Sequence, residues 1–268
     1  LILHLLIVCT CLQAQNPSYY GVKAHYGLII PHSSSLEDIS SSNPWGIEVD
    51  YSRLKINQKA WNNCNCYAGS GVSFSFFNYR NQDQLGNSYN LLYFAEPLLT
   101  FKNKIFYSFR AGIGLSFLDT VFDEETNPEN TFFSSPLSFL LLANFNINYR
   151  INPHYTVKVT ANFNHISNGG MKQPNKGMYY PTLSIGLAYT PEKLSLESRE
   201  KQNQVKGKIK GYLRLFGTAP EVSNVDIQEN ERKLLVGISG GALYHLTHTN
   251  ALNLGMEITN NEAIRKEA

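Results

Sequence analysis

Apolar and polar residues alternate one by one along most of the first 190 positions. Tyr20, Val22, Ala24, Tyr26, Leu28 and Ile30 share one parity, and Gly21, Lys23, His25 and Gly27 share the other. The same period of two runs through Trp45, Ile47, Val49 and Tyr51, through Val72, Phe74 and Phe76, and through Tyr89, Leu91, Tyr93, Ala95, Leu99 and Phe101. It returns from Ile105 to Phe117, from Phe139 to Tyr149, from Tyr155 to Phe163, and from Pro181 to Tyr189. Side chains at i and i+2 lie on one face of a strand. Each run therefore predicts a β-strand with one apolar and one polar face.

Such strands suit a soluble sandwich with the apolar face inward, or a membrane barrel with the apolar face outward. The polar rows decide for the barrel. They hold Gly, Ser, Asn and Thr with scattered charges of both signs: Lys23, Glu48, Asp50, Glu96, Arg110, Arg150 and Lys158. Small residues and paired charges fill a narrow interior, whereas a solvated face carries more Lys and Glu. The expected fold is all-β, a transmembrane antiparallel β-barrel of about eight strands in residues 17–190. Residues 102–104 and 151–154 read as tight turns. Residues 31–44, 80–87, 119–135 and 168–178 are longer and polar. Short periplasmic turns and longer external loops are the outer-membrane pattern. Segment 55–66 breaks it, being long but on the turn side.

Composition points the same way. Of 268 residues, 16% are charged and the net charge is +2, which argues against nucleic acid as a partner. Aromatics reach 12%, with 16 Tyr and 15 Phe, which suits a sheet with one face in lipid. The chain opens "LILHLLIVCTCLQAQ", a short apolar run followed by small and polar residues. Residues 1–15 therefore read as a signal peptide, without an initiator Met or a basic start. The run is too short to span a bilayer as a helix. Cys64 and Cys66 have no nearby His or second Cys pair, so they read as a local disulfide or two free thiols rather than a zinc site.

After Thr190 the pattern stops. Residues 191–207 are charged and aperiodic, and read as a linker. Period two then returns in residues 208–268, in "KIKGYLRLFG", in Leu234, Val236, Ile238 and Ala242, and in Leu252, Leu254, Met256 and Ile258. This is an additional β segment. Its odd strand number and charged end, "NNEAIRKEA", suggest a truncated chain.

The candidate chemistry lies at "FNHISNGGMKQPNKG", residues 163–177. His165 and Ser167 continue the apolar parity of Tyr155, Val157, Val159, Ala161 and Phe163, so both point toward lipid. With a periplasmic N-terminus this strand ascends, and the pair sits at the extracellular end. The plain reading is two polar residues of the interfacial girdle. The chemical reading starts from cost, because an ionisable side chain facing lipid is expensive unless it is used. A neutral imidazole can take the proton of a serine as it attacks an ester.

"HISNGGMKQPNKG" resembles the signature of the outer-membrane lipid A 3-O-deacylase (PagL) family, related to proteins often labelled acyloxyacyl hydrolases. The pattern is H-x-S-N, a Gly pair, a basic residue, then P-N-x-G. The resemblance extends over residues 17–190 and leaves the chain after 191 outside. It implies an eight-stranded barrel in the outer membrane of a Gram-negative bacterium. It also implies a serine esterase that removes the 3-position acyl chain of lipid A, acting on lipopolysaccharide in the outer leaflet without metal or cofactor. Carried over, Ser167 is the nucleophile and His165 the general base. Asn175 is the oxyanion donor and Asn168 supports the loop. For both asparagines the alternative is turn chemistry, which is also the simplest role of Gly169, Gly170 and Gly177. A homodimer stays open.

One position departs from the family. Tyr179 stands where a glutamate that orients the histidine is expected. A tyrosine hydroxyl can accept a hydrogen bond from imidazole, but it does not stabilise imidazolium as a carboxylate does. Its simpler role is a girdle aromatic. The acid could instead come from Asp119, Asp123, Glu124, Glu125 or Glu129 in loop 119–135, or be absent. Two rivals remain: a non-enzymatic structural or adhesion barrel, and an outer-membrane phospholipase of another family.

Overall fold

The alternating runs become neighbouring staves. The computed structural model describes residues 16–192, 196, 199–200, 207–219, 221–224, 229–246 and 250–261. The expected signal peptide, 1–15, lies outside the described residues. The strands are β1 (Ser18–Gly27), β2 (Trp45–Lys55), β3 (Ala68–Asn78), β4 (Asn87–Pro97), β5 (Ile105–Leu118), β6 (Leu137–Arg150), β7 (Tyr155–Ser167), β8 (Met178–Tyr179) and β9 (Thr182–Tyr189). Neighbours pair antiparallel, and β7 with β9 and β9 with β1 complete the ring. This is a closed, eight-stave barrel, because β8 and β9 form one stave. His165 faces Tyr179 and Asn162 faces Thr182 in a single unbroken register against β7. Pro181 has no N–H to give the ladder and interrupts it. The eighth strand thus begins at Met178, three residues earlier than the alternation from Pro181 implies. The fourth ends at Pro97, so Leu99 and Phe101 belong to the following turn.

The outward rows are apolar all the way round, with Val22, Ile47, Phe74, Leu91, Tyr93, Ile113, Phe145 and Ile185 all exposed. A continuous apolar belt on a closed barrel belongs in a bilayer. No helix among the described residues is long and apolar enough to cross a membrane; the crossing is made by strands.

The interior is layered rather than uniformly polar. At the end of the longer loops, Phe77, Leu92, Phe94, Leu118, Leu140, Leu142, Ile166 and Tyr180 point inward. They pack with Leu36, which precedes the short helix α1 (Glu37–Ser40), with Ile39 inside it, and with Phe132 and Phe133. The polar parity predicted for these strands holds at mid-height and gives way to packed rings near the mouth. There the loops fold over the lumen and exclude water. Mid-height holds the charges. Arg110 donates to Glu96 (2.8 Å), Glu48 (3.0 Å) and Asp50 (3.3 Å), with its guanidinium 3.7 Å from the Phe94 ring. Lys23 pairs with Glu48 and Asp50, and Lys158 with Glu96 at 2.9 Å. Beside them Thr160 donates to Asn146, whose amide donates to Asn144.

The end with the short turns is closed by the segment that breaks the loop pattern. Helix α2 (Gln58–Cys64) forms there, and the Asn57 side chain caps it by accepting from the Ala60 N–H at 2.8 Å. A disulfide joins Cys64, the last residue of α2, to Cys66. Trp61 buries itself against Leu54, Tyr67, Leu98 and Phe106. The described pieces of the charged stretch lie against this helix. Trp61 donates to the Glu200 carbonyl, and Arg199 donates to Gln58 and to the Ile56 carbonyl.

Further along, β10 (Ile209–Thr218), β13 (Leu235–His245) and β14 (Ala251–Asn261) form a three-stranded sheet. A hairpin of β11 (Glu221–Asn224) and β12 (Glu229–Arg232) lies between them in the chain.

Candidate active site

β7 carries His165 and Ser167 up to the end with the longer loops. Both are half-buried on the outward row, above exposed Phe163. Across β6 they face Leu141 and Phe139. On the other side His165 faces Tyr179.

Past Ser167 the chain folds back on itself through residue 177. Asn168 is fully buried and organises this loop. Its Oδ1 accepts from the Gly170 N–H at 2.9 Å, and its Nδ2 donates to the Lys172 carbonyl at 2.8 Å. The Ser134 hydroxyl donates to the same carbonyl at 3.0 Å. The Gln173–Pro174 peptide is cis. Asn175 then returns to the end of the strand. Its Oδ1 accepts from the Asn168 N–H at 3.1 Å and its Nδ2 donates to Ser167 Oγ at 2.9 Å. The Gly169 N–H also donates to that oxygen, at 3.1 Å. Two N–H groups thus converge on the Ser167 hydroxyl.

The imidazole is held by rings and backbone. Tyr179 stacks on it, with centroids 4.5 Å apart and planes 28° from parallel. His32 packs edge-on against Tyr179 at 5.4 Å. Gly177 lies against the ring edge: an added Cβ would sit 2.7 Å from His165 Cε1, and its φ of 72° is left-handed. L side chains rarely adopt that backbone. Gly177→Ala is expected to push the imidazole out of place and strain the loop. Hydrolytic activity should fall at least ~10-fold while the barrel stays folded, since a small misplacement near the chemistry is costly. Activity set against a heat-modifiability gel checks both halves.

The sequence brings together His165, Ser167, Asn168, Asn175 and Tyr179, and the structure clusters all five. Two expected contacts are not made. The Ser167 hydroxyl bonds to Asn175 and Gly169 rather than to His165. Among the described residues His165 Nδ1 is buried without a hydrogen-bond partner, and no acid orients it. Tyr179 offers the face of its ring instead of its hydroxyl. Nor does loop 119–135 supply a carboxylate. Asp119 accepts from Asn87, Asp123 from Thr126 and Glu129 from Gln84, while Glu124 and Glu125 are exposed. The loop reaches the site through its backbone, since the Thr131 and Phe132 carbonyls accept from the N–H groups of Lys176 and Gly177. Among the described residues no group of His, Cys, Asp and Glu could hold a metal ion.

His32 was not singled out by the sequence. Its signal was available, because it continues the outward parity of Leu28 and Ile30 beyond the strand. An isolated bridge between Ile30 and Tyr179 then brings it to the site.

The profile of the lipid A 3-O-deacylase (PagL) family matches residues 45–190, which include every residue of this cluster except His32. The chain belongs to that family. With that membership and its closed, lipid-facing apolar belt it is an integral outer-membrane protein. No curated protein sequence matches it. Among solved structures it is similar to the outer membrane enzyme PagL, at 18% identity over 62% of this chain and 97% of that one, with a TM-score of 0.45. It is also similar to Neisserial surface protein A, at 12% identity over 66% of this chain and 97% of that one, with a TM-score of 0.46. These likenesses carry no functional argument.

Proposed function

We propose that this PagL-family barrel is a serine esterase that removes the 3-O-linked acyl chain of lipid A from the outer leaflet. The observation that carries the reading is the Ser167 hydroxyl on the lipid-facing row, with two N–H donors converging on it and an imidazole on the same row. A lipid ester reaches this row by lateral diffusion. Exposed Phe139, Leu141, Phe163 and Met171 around it offer an apolar flank to an acyl chain.

In the reaction, the hydroxyl turns from Asn175 toward the imidazole and gives up its proton as Oγ adds to the ester carbonyl. The Asn175 amide and the Gly169 N–H then face the carbonyl oxygen, one bond from the carbon that Oγ has joined, and stabilise its charge. The imidazolium returns the proton to the departing sugar oxygen. Water, deprotonated by the same histidine, releases the fatty acid from the acyl-serine.

Among the described residues no carboxylate backs His165, so its orientation rests on the Tyr179 ring and the Gly177 backbone. This makes a sharp expectation. Tyr179→Phe keeps the stack and should retain near-normal activity. Tyr179→Ala removes the stack and should cost ~10-fold or more in kcat. If the two variants lose activity equally, the hydroxyl matters and the stack does not.

Mass spectrometry of lipid A from cells with and without the protein tests the reading as a whole. Loss of one 3-linked hydroxyacyl chain supports it. Fatty acid released from phospholipid, with lipid A intact, makes the protein a phospholipase. Hydrolysis of neither leaves a non-enzymatic barrel.

A further inference from the structure

The β10–β13–β14 sheet repeats, on a smaller scale, the two-faced character of the barrel. Register places Ile209, Leu213 and Leu215 of β10 beside Tyr244, Gly240 and Ile238 of β13. Leu252, Leu254, Met256 and Ile258 of β14 continue the same rows. This face is wholly uncharged and open: Leu213, Leu215, Leu254 and Met256 are 73%, 79%, 83% and 84% exposed. An open apolar face of this extent is a liability in water and needs a cover.

The opposite face is of another kind. It carries every charge of the sheet, Lys210, Arg214 and Glu257, among Ser239, Asn253 and Thr259, together with Tyr212, Phe216, Leu235 and Leu243 and three glycines. The row Arg214, Ser239, Glu257 crosses it at mid-strand. The large side chains on this face fold onto its glycines. A Cβ at Gly237 would meet the Phe216 ring at 2.3 Å, and one at Gly255 the Tyr212 hydroxyl at 2.5 Å. Charge on one face and none on the other, which is filled chiefly by aliphatic side chains, is also how the barrel strands divide between lumen and lipid. The strands are of 10, 11 and 11 residues, the length that crosses a bilayer when tilted.

We propose that the apolar face of the β10–β13–β14 sheet is covered by lipid acyl chains, so that the chain enters the membrane a second time. The occupant follows from three features: the absence of charge on one face, the gathering of all charge on the other, and a strand length matched to hydrocarbon thickness. A sheet facing water would carry Lys and Glu on the exposed rows. A sheet docking a protein has no need of this length. The first barrel already holds the chain in a bilayer, so the second segment meets lipid without a separate recruitment step. Hydrocarbon does not tolerate open strand edges, so β10 and β14 take further strands as partners once inserted. The inference stands whether or not the barrel is an esterase.

Spin labels on single cysteines test it, in the full chain reconstituted into liposomes with the native cysteines replaced by serine. Leu254→Cys, Met256→Cys and Leu213→Cys are compared with Arg214→Cys and Glu257→Cys. Leu91→Cys on the barrel belt is the lipid control and Asp123→Cys the water control. The first three labels should match Leu91→Cys, with oxygen colliding severalfold more often than a nickel chelate, and the neighbouring pair should not. Nickel access at Leu254→Cys or Met256→Cys equal to that at Asp123→Cys would overturn the proposal, because the face would be in water. Labels there that are immobile and shielded from both reagents would also overturn it, because protein would cover the face. The Leu91→Cys reading in the same preparation certifies that the first barrel has inserted.

Discussion

Ser167→Ala is expected to abolish deacylation, lowering the rate by more than ~10³-fold, and to leave the barrel intact. Removing the nucleophile of a serine hydrolase takes away nearly all of its catalysis. The residue is small, half-buried and at a strand end, so the fold has little stake in it. Asn175→Ala is the companion. One oxyanion donor is worth ~10²–10³ in kcat, but Asn175 also holds the strand end through the Asn168 N–H. Its loss should therefore be somewhat larger than that of a pure donor. Lipid A mass spectrometry over time gives both rates. If Ser167→Ala retained more than a tenth of wild-type activity, Ser167 could not be the nucleophile.

Arg110→Met is expected to have the largest effect on stability. Arg110 is bonded to Glu48, Asp50 and Glu96 at once, inside the barrel wall and away from water. With it gone, Lys23 and Lys158 must balance three carboxylates, and breaking a buried ionic cluster costs ~3–5 kcal/mol. Removing a matching carboxylate, as in Arg110→Met with Asp50→Asn, should recover part of this, because Lys23 then pairs with Glu48 and Lys158 with Glu96. Urea unfolding in liposomes, followed by tryptophan fluorescence, gives the ordering wild type, double variant, single variant. A single variant as stable as wild type would mean that water reaches these charges.

Much of the barrel was legible because lipid imposes one rule on every outward position. Val22, Val49, Phe74, Leu91 and Ile113 obey it alike, and their parity gave the strands. The inner rows answer to several rules. At mid-height Lys23, Glu48 and Arg110 pair. Nearer the mouth Leu92, Phe94, Leu140 and Leu142 pack against loops whose path no alternation reveals. Helix α2 was hidden for a similar reason, since seven residues are too few to establish a period. At the site, parity correctly turned His165 and Ser167 outward, and the P-N-x-G half drew attention to Asn175. The stacking of Tyr179 and the press of Gly177 on the imidazole were not legible. Both depend on strand register and on a left-handed residue, which spacing along the chain does not encode.

For the proposed esterase, the outward placement of Ser167 has a kinetic consequence. The lumen above the charged layer is packed with Phe77, Phe94, Phe132 and Tyr180, so no substrate reaches the hydroxyl through it. Encounter takes place in two dimensions. The relevant concentration is the mole fraction of ester lipid in the leaflet, and the amount per litre is irrelevant. Diluting that lipid with inert phospholipid at fixed bulk concentration slows turnover, and diluting the whole suspension with buffer does not. A barrel of this kind reads the composition of the surface in which it is embedded.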